Sequence, residues 1–137
     1  MNFITPIKKL FGVFTLKTMG LLTDQQLHNL AMNVVGKDLE ELGYEFLAVN
    51  SKKSKNPQFV ATKEKRLIFV VVRAVNYPDN PVFYDEELMG KVSKHGINYE
   101  AKTFYAGVGV ANSISYELPV DSEEDYILNY TGLIEIK

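Results

Sequence analysis

The chain has 137 residues with a formal net charge of −2, 46% hydrophobic residues, 23% charged residues and no cysteine. This length predicts one domain with a substantial core, and the composition excludes an intrinsically disordered chain. Without cysteine there is no disulfide framework, thiolate zinc site or cysteine-ligated iron–sulfur cluster, and a reducing cytoplasmic location is expected.

An amphipathic N-terminal segment is predicted at residues 1–22, ahead of a single domain at residues 23–137. Its apolar side chains recur on one helical face, at Ile4, Ile7, Leu10, Phe11 and Phe14. Lysines interrupt this stretch, so it does not fit a transmembrane span, which needs about 20 mostly apolar residues. Residues 3–16 are expected to dock on the domain or on a second copy of the chain, as in a homodimer. A membrane-surface anchor is the less favoured alternative.

A long amphipathic helix is the clearest predicted element. Thr23 and Gln26 have the capping-box spacing, and Gly43 supplies a stop signal. Between them, apolar residues recur at helical spacing at Leu27, Leu30, Ala31, Val34, Val35, Leu39 and Leu42. Gly36 weakens the helix relative to alanine, which indicates close packing at that point. His28 is interpreted as a surface or helix-end residue.

Three strands are expected next along the chain. They lie at residues 44–49, 58–62 and 67–75, separated first by a polar loop and then by a hairpin turn at residues 63–66. The third strand is apolar on both faces apart from Arg73 and contains three consecutive valines. This pattern is typical of a central strand that is covered on both sides.

The remaining elements follow a proline-containing loop. A helix is predicted over residues 84–99, with an inward face formed by Leu88, Val92 and Tyr99, and then a strand over residues 103–110. A C-terminal β-hairpin is predicted from residues 125–130 and 132–136, turning at Thr131-Gly132. The fold class is therefore α/β (or α+β), with a core of αβββαβ order and a mixed sheet flanked by helices.

Three short stretches resemble the PD-(D/E)XK, or restriction endonuclease-like, family. Residues 39–44, followed by Asn50, resemble a leucine to glycine-tyrosine motif of small bacterial endonuclease-like proteins related to Holliday junction resolvases. Residues 57–61 and 69–73 resemble the two strands that carry that family's catalytic groups. The predicted order of elements is also the common core of the family, and the match covers roughly residues 23–110.

This resemblance implies a site that has lost its chemistry. The family's catalytic aspartate falls on Gln58, its glutamate on Val71 and its lysine on Arg73, while a helix glutamate of some members falls on or near Met32. Two carboxylates hold the Mg²⁺ ion in such enzymes, and neither is retained. The chain is therefore expected to be a non-catalytic binding or assembly protein. The first alternative is a nucleic-acid-binding module that uses the basic residues 52–73. A less favoured one is a cryptic Mg²⁺-dependent nuclease in which Glu86 or Glu87 supplies a migrated carboxylate.

A basic stretch extends from Lys52 through the second and third predicted strands and ends at Arg73. Its cations are Lys52, Lys53, Lys55, Lys63, Lys65, Arg66 and Arg73, against the single acid Glu64. It is interpreted either as a solvated face or as a surface for an anionic partner, which includes a nucleic-acid-binding module. Arg73 itself either pairs with Glu41 or Glu45, or forms an anion site. In that site Lys63 or Arg66 is expected nearby, with Tyr77 or Tyr84 as a stacking or hydrogen-bonding partner.

No cofactor or metal is expected. Short proteins similar to this chain are sometimes assigned to a sodium-translocating NADH–quinone reductase, but the sequence does not support that activity. It has no cysteine for a cluster, and the Gly107-Val108-Gly109 stretch lacks the third glycine of a dinucleotide fingerprint. His28 and His95 lie far apart and have no neighbouring residues at metal-ligand spacing.

Overall fold

The computed structural model describes residues 21–121 and 125–137. These residues form a mixed six-stranded sheet with a helix on each face. In chain order the elements are α1 (Asp24–Glu41), β1 (Glu45–Val49), β2 (Phe59–Lys63), β3 (Arg66–Asn76), α2 (Glu86–Ile97), β4 (Lys102–Asn112), β5 (Tyr126–Asn129) and β6 (Ile134–Ile136). The predicted α/β class with a mixed, helix-flanked sheet is confirmed. The helix expected in the N-terminal segment lies outside the described residues. No helix in the described part of the chain has the length and apolar character to cross a membrane.

The start and end of α1 follow the sequence signals. The Thr23 hydroxyl accepts from the Gln26 N–H at 3.2 Å, and the Gln26 side chain accepts from the Thr23 N–H at 2.8 Å, which completes a capping box. Gly43, at φ +93°, terminates the segment in a conformation that favours glycine. Leu42 was predicted on the apolar face but is 44% exposed, because the helix ends at Glu41 and Leu42 is its C-cap.

The sheet order is β1-β2-β3-β4, with β5 and β6 both paired to β4. The first three strands form an antiparallel meander, and β3 and β4 are parallel. Glu64 and Lys65 both have positive φ, as a two-residue hairpin turn between β2 and β3 requires. Val70, Val71 and Val72 are all fully buried, so β3 is the central covered strand that its composition predicts.

Two apolar layers cover the two faces of β3. Val70 and Val72 face α1, whereas Phe69 and Val71 face α2. Close packing at Gly36 is also confirmed, because an added Cβ would lie 3.3 Å from the Phe59 ring. The expected inward position of Tyr99 is wrong: it follows the end of α2 and is 59% exposed.

The predicted C-terminal hairpin is wrong, because β5 and β6 do not pair with each other. Both run antiparallel to β4, β5 against Gly109–Asn112 and β6 against Thr103–Tyr105. Asn129 lies opposite Gly109, and Ile134 lies opposite Tyr105. The chain therefore advances five residues from Asn129 to Ile134, while β4 spans four residues from Gly109 to Tyr105. Residues 130–133 belong to neither strand, and the chain continues along the same edge of β4 instead of reversing.

Candidate anion-binding cleft

An open cleft of about 580 Å³ lies where the loop at residues 50–57 meets the start of α1 and the C-terminal half of β3. This volume is within the usual range for small-molecule sites. The cleft is lined by Gln25, Lys52, Lys53, Ser54, Asn56 and Arg73. Its lining side chains are polar or charged, and its three formal charges are all positive.

The buried side chain of Gln58 holds the loop at residues 50–57 in place. It is fully buried just before β2, and its Nε2 donates to the carbonyl oxygens of Lys52 and Lys55 at 3.1 and 3.2 Å and to Asn56 Oδ1 at 3.0 Å. Its Oε1 accepts from the Val72 N–H at 2.8 Å. An amide suits this position because it donates and accepts at once, which a carboxylate does not. Gln58 therefore ties the basic loop to the central strand.

Arg73 forms the floor of the cleft and is surrounded by neutral acceptors. One guanidinium nitrogen donates to the Val72 carbonyl oxygen at 2.7 Å and to Gln58 Oε1 at 3.3 Å, and the other donates to Asn56 Oδ1 at 2.9 Å. Burial lowers the pKa of Arg73, while Tyr105 and then Asp85 act to raise it. An arginine nonetheless remains charged at neutral pH.

The ion pair between Arg73 and Glu41 or Glu45 is not formed. Glu41 ends α1, and Glu45 pairs with Thr62 at the opposite end of the β1–β2 ladder from the cleft. Within residues 21–121 and 125–137, no carboxylate oxygen approaches the Arg73 guanidinium to 4.0 Å. The positive charge of this half-buried group is therefore not neutralised by direct contact with an acid in that part of the chain.

His28 is a further residue next to the cleft, and the expectation that it is exposed is wrong. It is 2% exposed, because it shares the inward helical face of Met32, Val35 and Leu39. Neither ring nitrogen has a hydrogen-bond partner among the described residues, and an unsatisfied buried polar group costs about 1–3 kcal/mol. Burial lowers the pKa of His28, and the nearby charges of Arg73 and Lys53 lower it further.

The predicted anion-site residues separate into two groups. Lys52, Lys53 and Arg73 come together in the cleft, but Lys63 and Arg66 face each other across the hairpin turn at the other end of β2. Five residues of strand, about 16 Å, separate this turn from Gln58. The structure therefore does not bring Lys63 and Arg66 next to Arg73.

Lys63 has its own structural role at that far end. Its Nζ donates to the Leu42 carbonyl oxygen at 2.6 Å and lies 5.8 Å from the centre of the Tyr44 ring. A cation at the last carbonyls of α1 is favourable there. The two tyrosines expected beside Arg73 do not line the cleft either, because Tyr77 packs on Tyr116 and Tyr84 packs on Tyr105.

The other positions implied by the endonuclease resemblance serve the fold. Val71 is fully buried under α2, and Met32 is buried in the α1 layer. Glu86 and Glu87 lie in the first turn of α2, exposed to solvent, where Glu87 pairs with Lys91 at 3.5 Å. Across the described ranges, no cluster of three or more histidine or acidic side chains is arranged to hold a metal ion.

Three cleft residues and the histidine have only weak signals in the sequence. Gln25 is an ordinary first-turn helix residue, and Ser54 and Asn56 belong to a polar loop without a motif. The burial of His28 could have been found from its spacing of four, seven and eleven residues to Met32, Val35 and Leu39, which marks one helical face.

Residues 25–136 match a family model described as a domain of unknown function, DUF8840. This range covers most of the chain and nearly all of the described structure, so the chain belongs to the DUF8840 family. No curated protein and no solved structure matches the chain.

Proposed function

We propose that this member of the DUF8840 family is a non-catalytic binding protein with an endonuclease-like fold, and that an anionic group binds in the cleft of Lys52, Lys53 and Arg73. The observation that carries the proposal is the state of Arg73. Its guanidinium is half-buried and held by neutral oxygens, without a contacting acid in the described residues. A partly desolvated cation of this kind is stabilised by a charged acceptor, and a planar guanidinium suits a phosphate, sulfate or carboxylate.

The local charge of the cleft supports the same assignment. The whole chain carries a formal charge of −2, yet three cations converge on this one concavity. Gln58 and Asn56 fix the loop backbone and the Arg73 guanidinium before any ligand arrives, which lowers the ordering cost of binding at Arg73. The site is thus positive and pre-organised in a chain that is acidic as a whole.

The proposed loss of catalysis rests on the residues at two positions, Gln58 and Val71, where the resemblance places catalytic carboxylates. The Gln58 Oε1 already accepts from Val72 and Arg73, and Val71 offers no oxygen to a metal. Mg²⁺ requires oxygen ligands, usually including carboxylates. Incubation with Mg²⁺ or Mn²⁺ is expected to leave branched, single-stranded and duplex DNA intact. Cleavage that disappears in the Glu86→Gln, Glu87→Gln double variant would instead support the migrated-carboxylate nuclease.

Anion binding is tested by calorimetric titration with sulfate at low ionic strength. Arg73→Gln removes a charge-assisted interaction of about 1.5–3 kcal/mol, which corresponds to roughly 10–150-fold weaker binding. Arg66→Gln is the matched control, because it makes the same change at the far hairpin turn and is expected to leave affinity within about twofold. Equal losses in both variants, or no binding by the unmodified chain, contradict the proposal.

Nucleic acid is the second candidate ligand. Lys52, Lys53 and Ser54 are exposed at the mouth of the cleft, where a backbone phosphate of a polyanion has access. With three cations involved, binding of labelled single-stranded DNA should show a log–log salt slope of about −2. Lys63→Gln should not change this slope, because Lys63 lies at the far end of the sheet. An affinity that does not depend on salt argues against this candidate.

A further inference from the structure

His28 is a buried titratable group beside the proposed anion site, and its ring makes no hydrogen bond to the described residues. It lies one helical turn after Gln25, which lines the cleft, and Arg73 and Lys53 are close enough to act on its charge. We propose that His28 takes up a proton from solvent when an anion binds at Arg73, so that anion affinity is coupled to pH. This inference rests on the proposed function and adds a regulatory residue to the same cleft.

The geometry places the His28 imidazole ring where no group in the described chain forms a hydrogen bond with it. The side chain is 2% exposed, and both of its ring nitrogens are without hydrogen-bond partners there. A neutral imidazole has one N–H donor and one acceptor nitrogen, whereas the imidazolium ion has two donors. An oxyanion in the nearby cleft would supply a negative charge that favours the protonated ring.

The charges around His28 oppose its protonation in the free protein. Arg73 acts from β3 and Lys53 acts from the loop, and both are positive. Asp24, one turn earlier on α1 itself, is exposed. The residues of β3 and β4 that pack against α1 are apolar, including Ile68, Val70, Val72, Ala106, Val108 and Val110. Tyr126 of β5 also packs in this layer, Asp121 follows Val120 beside the start of α1, and the Tyr130 hydroxyl donates to Asp38 nearer the other end of the helix. Burial and two cations therefore oppose the imidazolium ion, and the pKa of the free His28 lies below its ordinary value.

A bound anion reverses the electrostatic part of this balance. It offsets the field of Arg73 and Lys53, so the pKa of His28 is higher in the complex than in the free protein. Linkage then requires affinity to rise as pH falls between the two pKa values, by up to about tenfold per pH unit for one proton. Above the higher value the ring is neutral in both states, and the pH dependence disappears.

The experiment is a calorimetric titration of the full chain with sulfate at several values between about pH 5 and 8. Sulfate is the probe because, unlike phosphate, it does not itself titrate in this range. The unmodified chain should bind more tightly as pH falls, and His28→Gln should bind with an affinity that does not depend on pH. His95→Gln is the matched control, since it alters the only other histidine, which is exposed, and should keep the pH dependence.

The outcomes separate this inference from the proposed function. If sulfate binds in an Arg73-dependent way but with the same affinity at every pH, the inference fails and the proposed function stands. If sulfate does not bind at any pH, both fail. NMR titration of the histidine ring signals in the unmodified chain gives a test that does not require His28→Gln to fold. A His28 pKa that sulfate leaves unchanged overturns the inference.

Discussion

Replacing Gln58 by leucine tests the role of the residue that stands where the resemblance places a catalytic aspartate. Leucine has a similar size, so the change removes the amide hydrogen bonds while leaving little cavity. The Val72 N–H then loses its acceptor at a position that is fully buried. β2 begins at Phe59, opposite Val70, so Val72 lies beyond the paired part of β2 and has no strand carbonyl to replace Gln58.

The expected loss of stability follows from these contacts. An unsatisfied buried N–H costs about 1–3 kcal/mol, and each lost hydrogen bond to the loop contributes about 0.5–1.5 kcal/mol before water replaces it. We therefore expect Gln58→Leu to lower the free energy of unfolding by about 2–4 kcal/mol. The loop at residues 50–57 should also loosen, because the carbonyl oxygens of Lys52 and Lys55 lose their shared donor.

Urea unfolding, followed by circular dichroism, measures this change. Gln25→Leu is the matched control: Gln25 also donates to the loop, to the Ser51 carbonyl oxygen at 3.0 Å, but from an exposed position. An exposed substitution of this kind changes stability by about 0.5 kcal/mol or less. If Gln58→Leu is no more destabilising than Gln25→Leu, the structural role assigned to Gln58 is wrong.

Two further predictions address packing and pH. Gly107→Ala should lower the free energy of unfolding by about 3 kcal/mol or more, because the added Cβ would overlap the Pro81 carbonyl oxygen. Gly90→Ala should raise it by about 0.5–1 kcal/mol, because nothing lies within 4 Å of a Cβ added in the middle of this helix. Thermal unfolding of the two variants measures both changes, and similar melting temperatures would contradict these predictions. The pKa of Tyr130 is raised by burial, then by its hydrogen bond to Asp38 at 2.7 Å and by the charge of that carboxylate. The stabilisation that Tyr130 contributes is therefore present below about pH 10. It is lost as the pH rises further, by about 1.4 kcal/mol per pH unit. Urea unfolding at increasing alkaline pH should show a shallower loss in Tyr130→Phe, and an unchanged slope would refute the assignment.

The elements that the sequence predicts well are those encoded by local spacing. The capping box at Thr23 and the stop at Gly43 bound α1, and the run of valines in β3 identifies the central strand. In each case the signal depends on neighbours within one or two turns or on alternate residues of a strand. Such patterns survive without knowledge of the tertiary contacts.

The site was harder to predict, because its residues are defined by contacts across the chain. Sequence order places Lys63 and Arg73 in one basic stretch, but the β2–β3 hairpin carries them to opposite ends of the sheet. Gln58 was identified as an altered catalytic position, but its hydrogen bonds to a loop and to a neighbouring strand have no local signal. The turn residues Thr131-Gly132 predict a C-terminal hairpin. A glycine turn alone does not show whether the next strand pairs with the preceding strand or, as here, with β4.

The central claim is that the cleft at Arg73 binds an anion, and NMR titration of the isotopically labelled chain with sulfate tests it most directly. We expect saturable changes in the amide signals of residues 52–56 and in the Arg73 side-chain signal. The signals of Lys63 and Arg66, at the far hairpin turn, should remain unchanged. Changes that are centred on that turn, or that grow linearly across the whole surface without saturation, would contradict the claim.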